Sequence, residues 1–377
     1  MSPIRVGIIG LSAKPAAFAP GAWASTAFLP SIQNSPEYTI TALCNSSLDA
    51  ARRSRDFHKL PETTKVYGDP EQLANDPDVD LVIVSVVVTH HLKLALPALQ
   101  QKKQVFVEWP LGKSVEEAEQ MAGLARADSL KTIVGLQARG DPVMAKLKQI
   151  VDSGEIGDIK NVVALGTLPA VPPQFWTEDT APYLDISGGA TSFQVIFGHF
   201  LDSFTHIVGA FQTDTISSIL KTDVDEVAIY SSDRTSIVKP SHPKTAPDHI
   251  LVQGLLKNGA PAMINFRTAA STVDDVGIRW VITGSKGEIE TTTPSFSWQA
   301  YAPARKLKIK SLGGEVREVD LDEDLGVAAD VGQRGVNTAL ILDAFAKGRQ
   351  DCYADFEAAL QNHRLLEHIL KKSKLDI

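Results

Sequence analysis

The chain has 377 residues, more than one hydrophobic core normally serves, so two domains are expected. Apolar residues make up 44% and charged residues 22%, an ordinary globular composition that excludes a chain dominated by disorder. A net charge of -8 argues against direct binding of nucleic acid, which needs a basic face, but leaves open contact with a protein that itself binds DNA.

Two cysteines, Cys44 and Cys352, make no disulfide framework and imply a reducing compartment. The opening Met-Ser-Pro-Ile-Arg enters an apolar strand without the pattern of a secretory leader. The longest apolar stretch, 81–88, is too short to span a bilayer. A cytoplasmic or nuclear location is expected, with no membrane partner. No cluster of His, Cys, Asp or Glu has metal-ligand spacing, so no metal is expected.

Five apolar runs without alternation, at 5–10, 38–43, 80–88, 105–107 and 132–136, have the pattern of strands buried on both faces. Helical patterns at 48–58, 92–101 and 114–127 lie between them, the last opening on a capping box of Ser114 and Glu117. This alternation predicts an α/β Rossmann-type dinucleotide-binding domain over 1–138. Beyond it, Asp141-Pro142 starts a helix through 151 that stops near Gly154. Strands follow at 161–165, 215–221, 226–231, 250–256, 262–268 and 279–283, with turn signals at 257–259 and 284–287. Helices are expected at 189–208, 336–347 and 356–371, and a long exposed loop at 233–248. Residues 139–377 thus predict an α+β substrate and dimerisation domain with a large, mostly antiparallel sheet.

Gly10 ends the first strand where backbone N–H groups must approach a pyrophosphate. The turn Gly10-Leu11-Ser12-Ala13-Lys14-Pro15 is lengthened and carries Ser12 at the second glycine position; a plain strand-to-helix turn is its other reading. At the end of the second strand stand Cys44-Asn45-Ser46-Ser47, with no acid before Asp49 to hold the 2′-hydroxyl of NAD. Asn45, Ser46 and Arg52 could instead accept a 2′-phosphate, so the cofactor is read as NAD or NADP. Arg52 and Arg53 also suit a solvated helix face.

Taken in order, the 80–91 segment, Val105-Phe106-Val107-Glu108-Trp109-Pro110, Ser153-Gly154-Glu155-Ile156-Gly157-Asp158-Ile159, Gly188-Gly189 through Gly198-His199, and the closing helix at 360–370 resemble the glucose–fructose oxidoreductase and inositol dehydrogenase (Gfo/Idh/MocA) superfamily. Within it, Phe106-Val107-Glu108-Trp109, Phe197-Gly198-His199 and Lys244-Thr245-Ala246-Pro247-Asp248-His249 are most similar to the branch of the fungal galactose-regulon repressor. The resemblance implies a fungal source and a homodimer formed across the second-domain sheet. It places Gly10, Leu11, Ser12, Val88, His91, Glu108, Trp109 and Pro110 with Asn45, Ser46 and Arg52 on the cofactor side.

Superfamily enzymes usually carry Glu-Lys-Pro and an aspartate four residues before the substrate-domain histidine. Here those positions are Trp109 and Val195. Oxidising an alcohol needs a base and an electrostatic partner for its oxygen. His199 is then the candidate, with Tyr183 or His91 assisting; the alternative is a structural, hydrogen-bonded histidine. Trp109 either stacks near a nicotinamide or fills the space left by lysine, and Pro110 suits a rigid, cis turn. Three functions follow: an NAD(P)-dependent oxidoreductase acting on a small organic substrate, a non-catalytic NAD(P)-binding co-regulator with a transcription-factor partner, or a cofactor-binding protein with neither role. The superfamily as a whole favours the first.

Overall fold

The buried runs of the first third of the chain form six strands: β1 (Ile4–Ile9), β2 (Tyr38–Cys44), β3 (Lys65–Tyr67), β4 (Leu81–Val84), β5 (Gln104–Val107) and β6 (Thr132–Val134). They pair in the order β3-β2-β1-β4-β5-β6, every pair parallel. Helices covering both faces explain why β4 is wholly buried along its length. The strand expected over 80–88 stops at Val84, and the chain then enters a single 3₁₀ turn at Val88–His90. The structure is a computed structural model that describes residues 2–13, 22–321 and 325–373. The part of the lengthened phosphate turn at 14–21 lies outside the described residues.

Helices α1 (Leu29–Gln33), α2 (Leu48–Phe57), α3 (Pro70–Ala74), α4 (His91–Gln100) and α5 (Val115–Ala127) connect these strands. Side-chain caps set their starts: Ser47 accepts from Ala50 N, Asp69 from Glu71 N and Ser114 from Glu117 N. The expected capping box is only half formed, because the Glu117 carboxylate accepts from Lys113 N, one residue before the cap.

The second sheet is built from β7 (Ile159–Pro169), β8 (Ser217–Lys221), β11 (His249–Leu255), β12 (Pro261–Ala269), β13 (Ile278–Gly284), β14 (Gly287–Thr293), β15 (Lys306–Ser311) and β16 (Arg317–Glu318), while β9 (Glu226–Tyr230) and β10 (Ile237–Pro243) form a separate hairpin. The order is β16-β15-β14-β13-β7-β12-β11-β8, antiparallel except for the β7–β12 pair. The sheet is therefore mixed and mostly antiparallel. Helix α6 (Pro142–Asp152) begins at the expected cap, Asp141 accepting from Val143 N. Helix α7 (Gly198–Val208) lays Phe200 and Phe204 against Phe266 and Trp280 of the sheet, with ring centroids 5.1–5.5 Å apart.

Two expectations are corrected here. The loop expected at 233–248 is largely exposed as far as Pro243, but its middle, Ile237–Pro243, is strand β10, whose Pro240 and Pro243 are tolerated because it is an exposed edge. The helix expected over 189–208 starts late: Gly189 is left-handed at φ 73°, and a wide π-turn over Phe193–Phe197 runs directly into α7.

The closing helices are α8 (Gln333–Ala346) and α9 (Phe356–Lys372). The chain divides into one unit of Met1–Gly140 with Asp324–His363, and a second of Asp141–Glu323 with Arg364–Ile377. Segment 324–363, which chain order puts in the second domain, thus belongs to the first. Its anchors are buried hydrogen bonds: Tyr38 Oη donates to Leu342 O at 2.6 Å and Ser31 Oγ to Gly335 O at 3.0 Å. Ile341, Leu342 and Phe345 join Val6, Phe28, Leu43 and Phe106 in one core.

Candidate functional site: the dinucleotide half and the His199 helix

In the first unit the strand order reverses between β1 and β4, and the carboxyl ends of strands at such a reversal are where open α/β sheets bind ligands. Gly10 stands at the tip of β1 with φ 99°, and a Cβ there would lie 2.4 Å from Ser85 O. Only glycine serves at that point. Leu11 is fully buried, and its carbonyl accepts from Asn45 Nδ2 at 2.9 Å and Ser54 Oγ at 2.7 Å. The Ser12 carbonyl accepts from Ser25 Oγ at 3.0 Å and from His58 Nε2 at 2.8 Å, which fixes the proton of that ring on Nε2. Side chains thus hold the turn's carbonyls inward.

At the tip of β2, Asn45 is committed to the turn, Ser46 is exposed and Ser47 caps α2. Arg52 is 55% exposed and faces Asp49 at 3.4 Å, so the solvated-face reading describes it in this structure.

At the tip of β5, the Trp109–Pro110 bond is cis, as the sequence suggested. Gln137 Nε2 donates to both Glu108 oxygens, at 3.0 and 3.2 Å, and Trp109 N donates to Oε2. Glycine at 135 makes room for this carboxyl, since a Cβ there would fall 2.2 Å from Glu108 Oε2. Part of Glu108 stays accessible, yet burial dominates at the carboxyl and pushes its pKa up to about 8. It is therefore largely protonated at neutral pH and able to donate a hydrogen bond. Val88 is buried in the turn after β4. His91 is buried with its ring nitrogens facing Pro110 O at 2.8 Å and Val86 O at 3.1 Å, which ties the turn after β4 to the Trp109–Pro110 turn. Burial lowers its pKa.

Trp109 is only 5% exposed, its ring 4.7 Å from that of His363 on α9. It packs as a space-filling side chain in place of an ammonium. His363 is a site neighbour that sequence reasoning missed. Burial, and then His91, push its pKa down to about 4. Gln137 and Gly135 were missed as well. Their signal was position, just beyond the fifth buried strand, whereas nothing local in the sequence marks His363.

In the second unit, His199 sits in the first turn of α7, 5% exposed, with burial pushing its pKa down to about 3. It is a neutral imidazole at any physiological pH. Asp202, one turn on, is buried too. Tyr183 lies in the 3₁₀ turn Ala181–Leu184, half-buried, its pKa raised by desolvation. Among the described residues no group of three or more His, Cys, Asp or Glu is placed to hold a metal ion, and no helix is long and apolar enough to cross a membrane.

The glycine turn that admits no Cβ and its place at the switch point of a parallel sheet suit a dinucleotide, and together they define a Rossmann-type dinucleotide-binding unit joined to a mixed-sheet unit. Residues 4–136 match the model of the oxidoreductase family with an NAD-binding Rossmann fold, and residues 142–293 that of the Gal80p C-terminal domain. Dehydrogenase aclE of Aspergillus oryzae is 31% identical over 335 residues, 87% of each chain. The galactose/lactose metabolism regulatory protein GAL80 of Saccharomyces cerevisiae is 28% identical over 286 residues, 72% of this chain and 62% of the regulator. In structure, a super-repressor mutant of Gal80p from the same yeast superposes with a TM-score of 0.80 at 22% identity, covering 98% of this chain and 96% of that one. A levoglucosan dehydrogenase complexed with NADH and L-sorbose superposes at 0.74 with 18% identity, over 99% and 97%. The chain belongs to the Gfo/Idh/MocA oxidoreductase family, in its Gal80-like branch.

Proposed function

We propose that this chain is an oxidoreductase that moves hydride between a nicotinamide dinucleotide, NAD or NADP, and a small organic substrate without the usual lysine–aspartate pair. The observation that carries the reading is the likeness to a dehydrogenase across 87% of both chains. When bound, the nicotinamide supplies the hydride chemistry. The chain's own part is to seat it and to handle a proton. Gly10 lets the backbone approach the pyrophosphate, the protonated Glu108 carboxyl is a donor at the cis-proline turn, and Trp109 excludes water beside it. His199, neutral at rest and so carrying a ring lone pair, is the group that would take the hydroxyl proton of an alcohol, with Tyr183 as its polar assistant; burial makes it a weak base, so the imidazolium would pass the proton on to solvent.

The test is a screen of polyols, sugars, ketones and imines followed by NAD(P)H absorbance. His199→Ala is expected to lower turnover by about 10²–10⁴-fold while leaving dinucleotide affinity nearly unchanged. Turnover that survives this substitution intact sinks the role of His199. A second reading, a co-regulator acting through a transcription-factor partner in cytoplasm or nucleus, draws on the Gal80p-type second domain and on Trp109 standing where an ammonium is usual. Dinucleotide binding with no hydride transfer in any substrate class, together with capture of a transcriptional activator, favours that reading.

A further inference from the structure

The segment Lys244–His249 carries much of the likeness to the Gal80 branch, yet the reading above gives it no work. Lys244 is a lysine only 8% exposed, its Nζ 2.8 Å from Asp248 Oδ1 and donating to Ala246 O at 2.8 Å. The other Asp248 oxygen accepts from the Asp223 and Val224 amides at 2.8 and 3.1 Å. A buried ion pair with its remaining lone pairs satisfied holds one backbone shape. That shape presents two amides and a hydroxyl in one direction. Thr245 N and Ala246 N both donate to Leu184 O at 2.9 Å, and Thr245 Oγ1 accepts from Ile186 N at 2.9 Å. On the far side of the same residue, Ile186 O accepts from Gln194 Nε2 at 2.9 Å. Gln194 Oε1 in turn accepts from the amide and hydroxyl of Thr191. Gln194 belongs to the π-turn that runs straight into α7 and His199.

We propose that Thr245 is a positioning residue: through Ile186 and Gln194 it ties the turn that bears Tyr183 to the helix that bears His199. The tie stands on this hydrogen-bond chain. Its consequence for turnover rests on the oxidoreductase reading. Wide π-turns in helices often accompany functional sites.

The experiment compares Thr245→Ala, which removes the half-buried hydroxyl and the γ-methyl, with Thr245→Ser, which removes the methyl and keeps the hydroxyl. Gln194→Met cuts the far end of the chain should Thr245→Ala fold poorly. Amide hydrogen exchange is read by mass spectrometry on peptides 181–189 and 191–199, with peptides from 4–136 as reference. The expected result is exchange at least tenfold faster in both peptides for the Ala and Met variants, recovery in the Ser variant and no change in the reference. With a substrate from the screen, kcat should fall about tenfold with KM and NADH affinity held. Unchanged exchange in 191–199, failure of serine to rescue, or faster exchange everywhere overturns the tie. Wild-type protein that turns over nothing sinks the oxidoreductase reading instead, and the exchange arm still decides the tie.

Discussion

Glu108 shows how one residue couples the site to stability. Its carboxyl is raised from 4.5 to about 8 in the fold, so the folded state holds a proton that the unfolded chain releases. The stability this group contributes is full below about pH 4.5 and is lost as the pH rises to about 8. Glu108→Gln keeps the shape and removes the titration. The wild type should therefore lose melting temperature relative to this variant between pH 5 and 8, by about 2–4 °C for each kcal/mol at stake. Parallel melting curves of the two proteins across that range would show the carboxyl to be ionised in the fold. The sequence made Glu108 a cofactor-side polar residue but could not show that it is protonated. That property comes from burial at the carboxyl, which sets in only once the chain has folded around it and which outweighs the opposing hydrogen bond from Gln137.

At the level of elements, the continuous apolar runs were legible because strands buried on both faces need no alternation, and the caps at Ser114 and Asp141 were legible because they are local. Breaks and returns were not. Gly189, left-handed, delays to Phe193 a helix that apolar spacing starts at 189, and the exposed prolines of β10 read as loop. Helix α8 was legible as a helix but not as a neighbour of β2, since that contact spans 304 residues of chain. The Tyr38–Leu342 hydrogen bond is the sharpest mark of this contact. Tyr38→Phe should cost about 0.5–1.5 kcal/mol in a urea melt, with the slope unchanged. A variant as stable as the wild type would mean that α8 is held by apolar packing alone.

Over the whole molecule, the second sheet has unequal faces. Val162, Ala164, Val252, Ile264 and Phe266 are buried on one side, whereas Leu165 and Ile219, at 38% and 49% exposure, lie open on the other with half-buried Met263 and Val163. The pairings Ile219–Leu251 and Met263–Val163 make these residues neighbours across strands. We propose that a second copy of this chain covers that face, because a two-fold axis lets one flat patch serve both partners. Light scattering at micromolar concentration should give about twice the 40.7 kDa chain mass. The monomer mass throughout that range refutes the homodimer, and Leu165→Lys should drive a dimer towards it.

The chain passes between its two units three times, at 140–141, 323–324 and 363–364. The consequence is one of inheritance and engineering. No single cut releases either unit. A fragment ending at Gly140 leaves Phe28 and Phe106 without Leu342 and Phe345, and strips β6 of the bridge from Val134 to Ala354. Grafting a dinucleotide unit from a relative therefore requires two separated pieces of chain exchanged together, like both halves of a zip. A new specificity is better sought by substitution within the intact chain than by trading its halves.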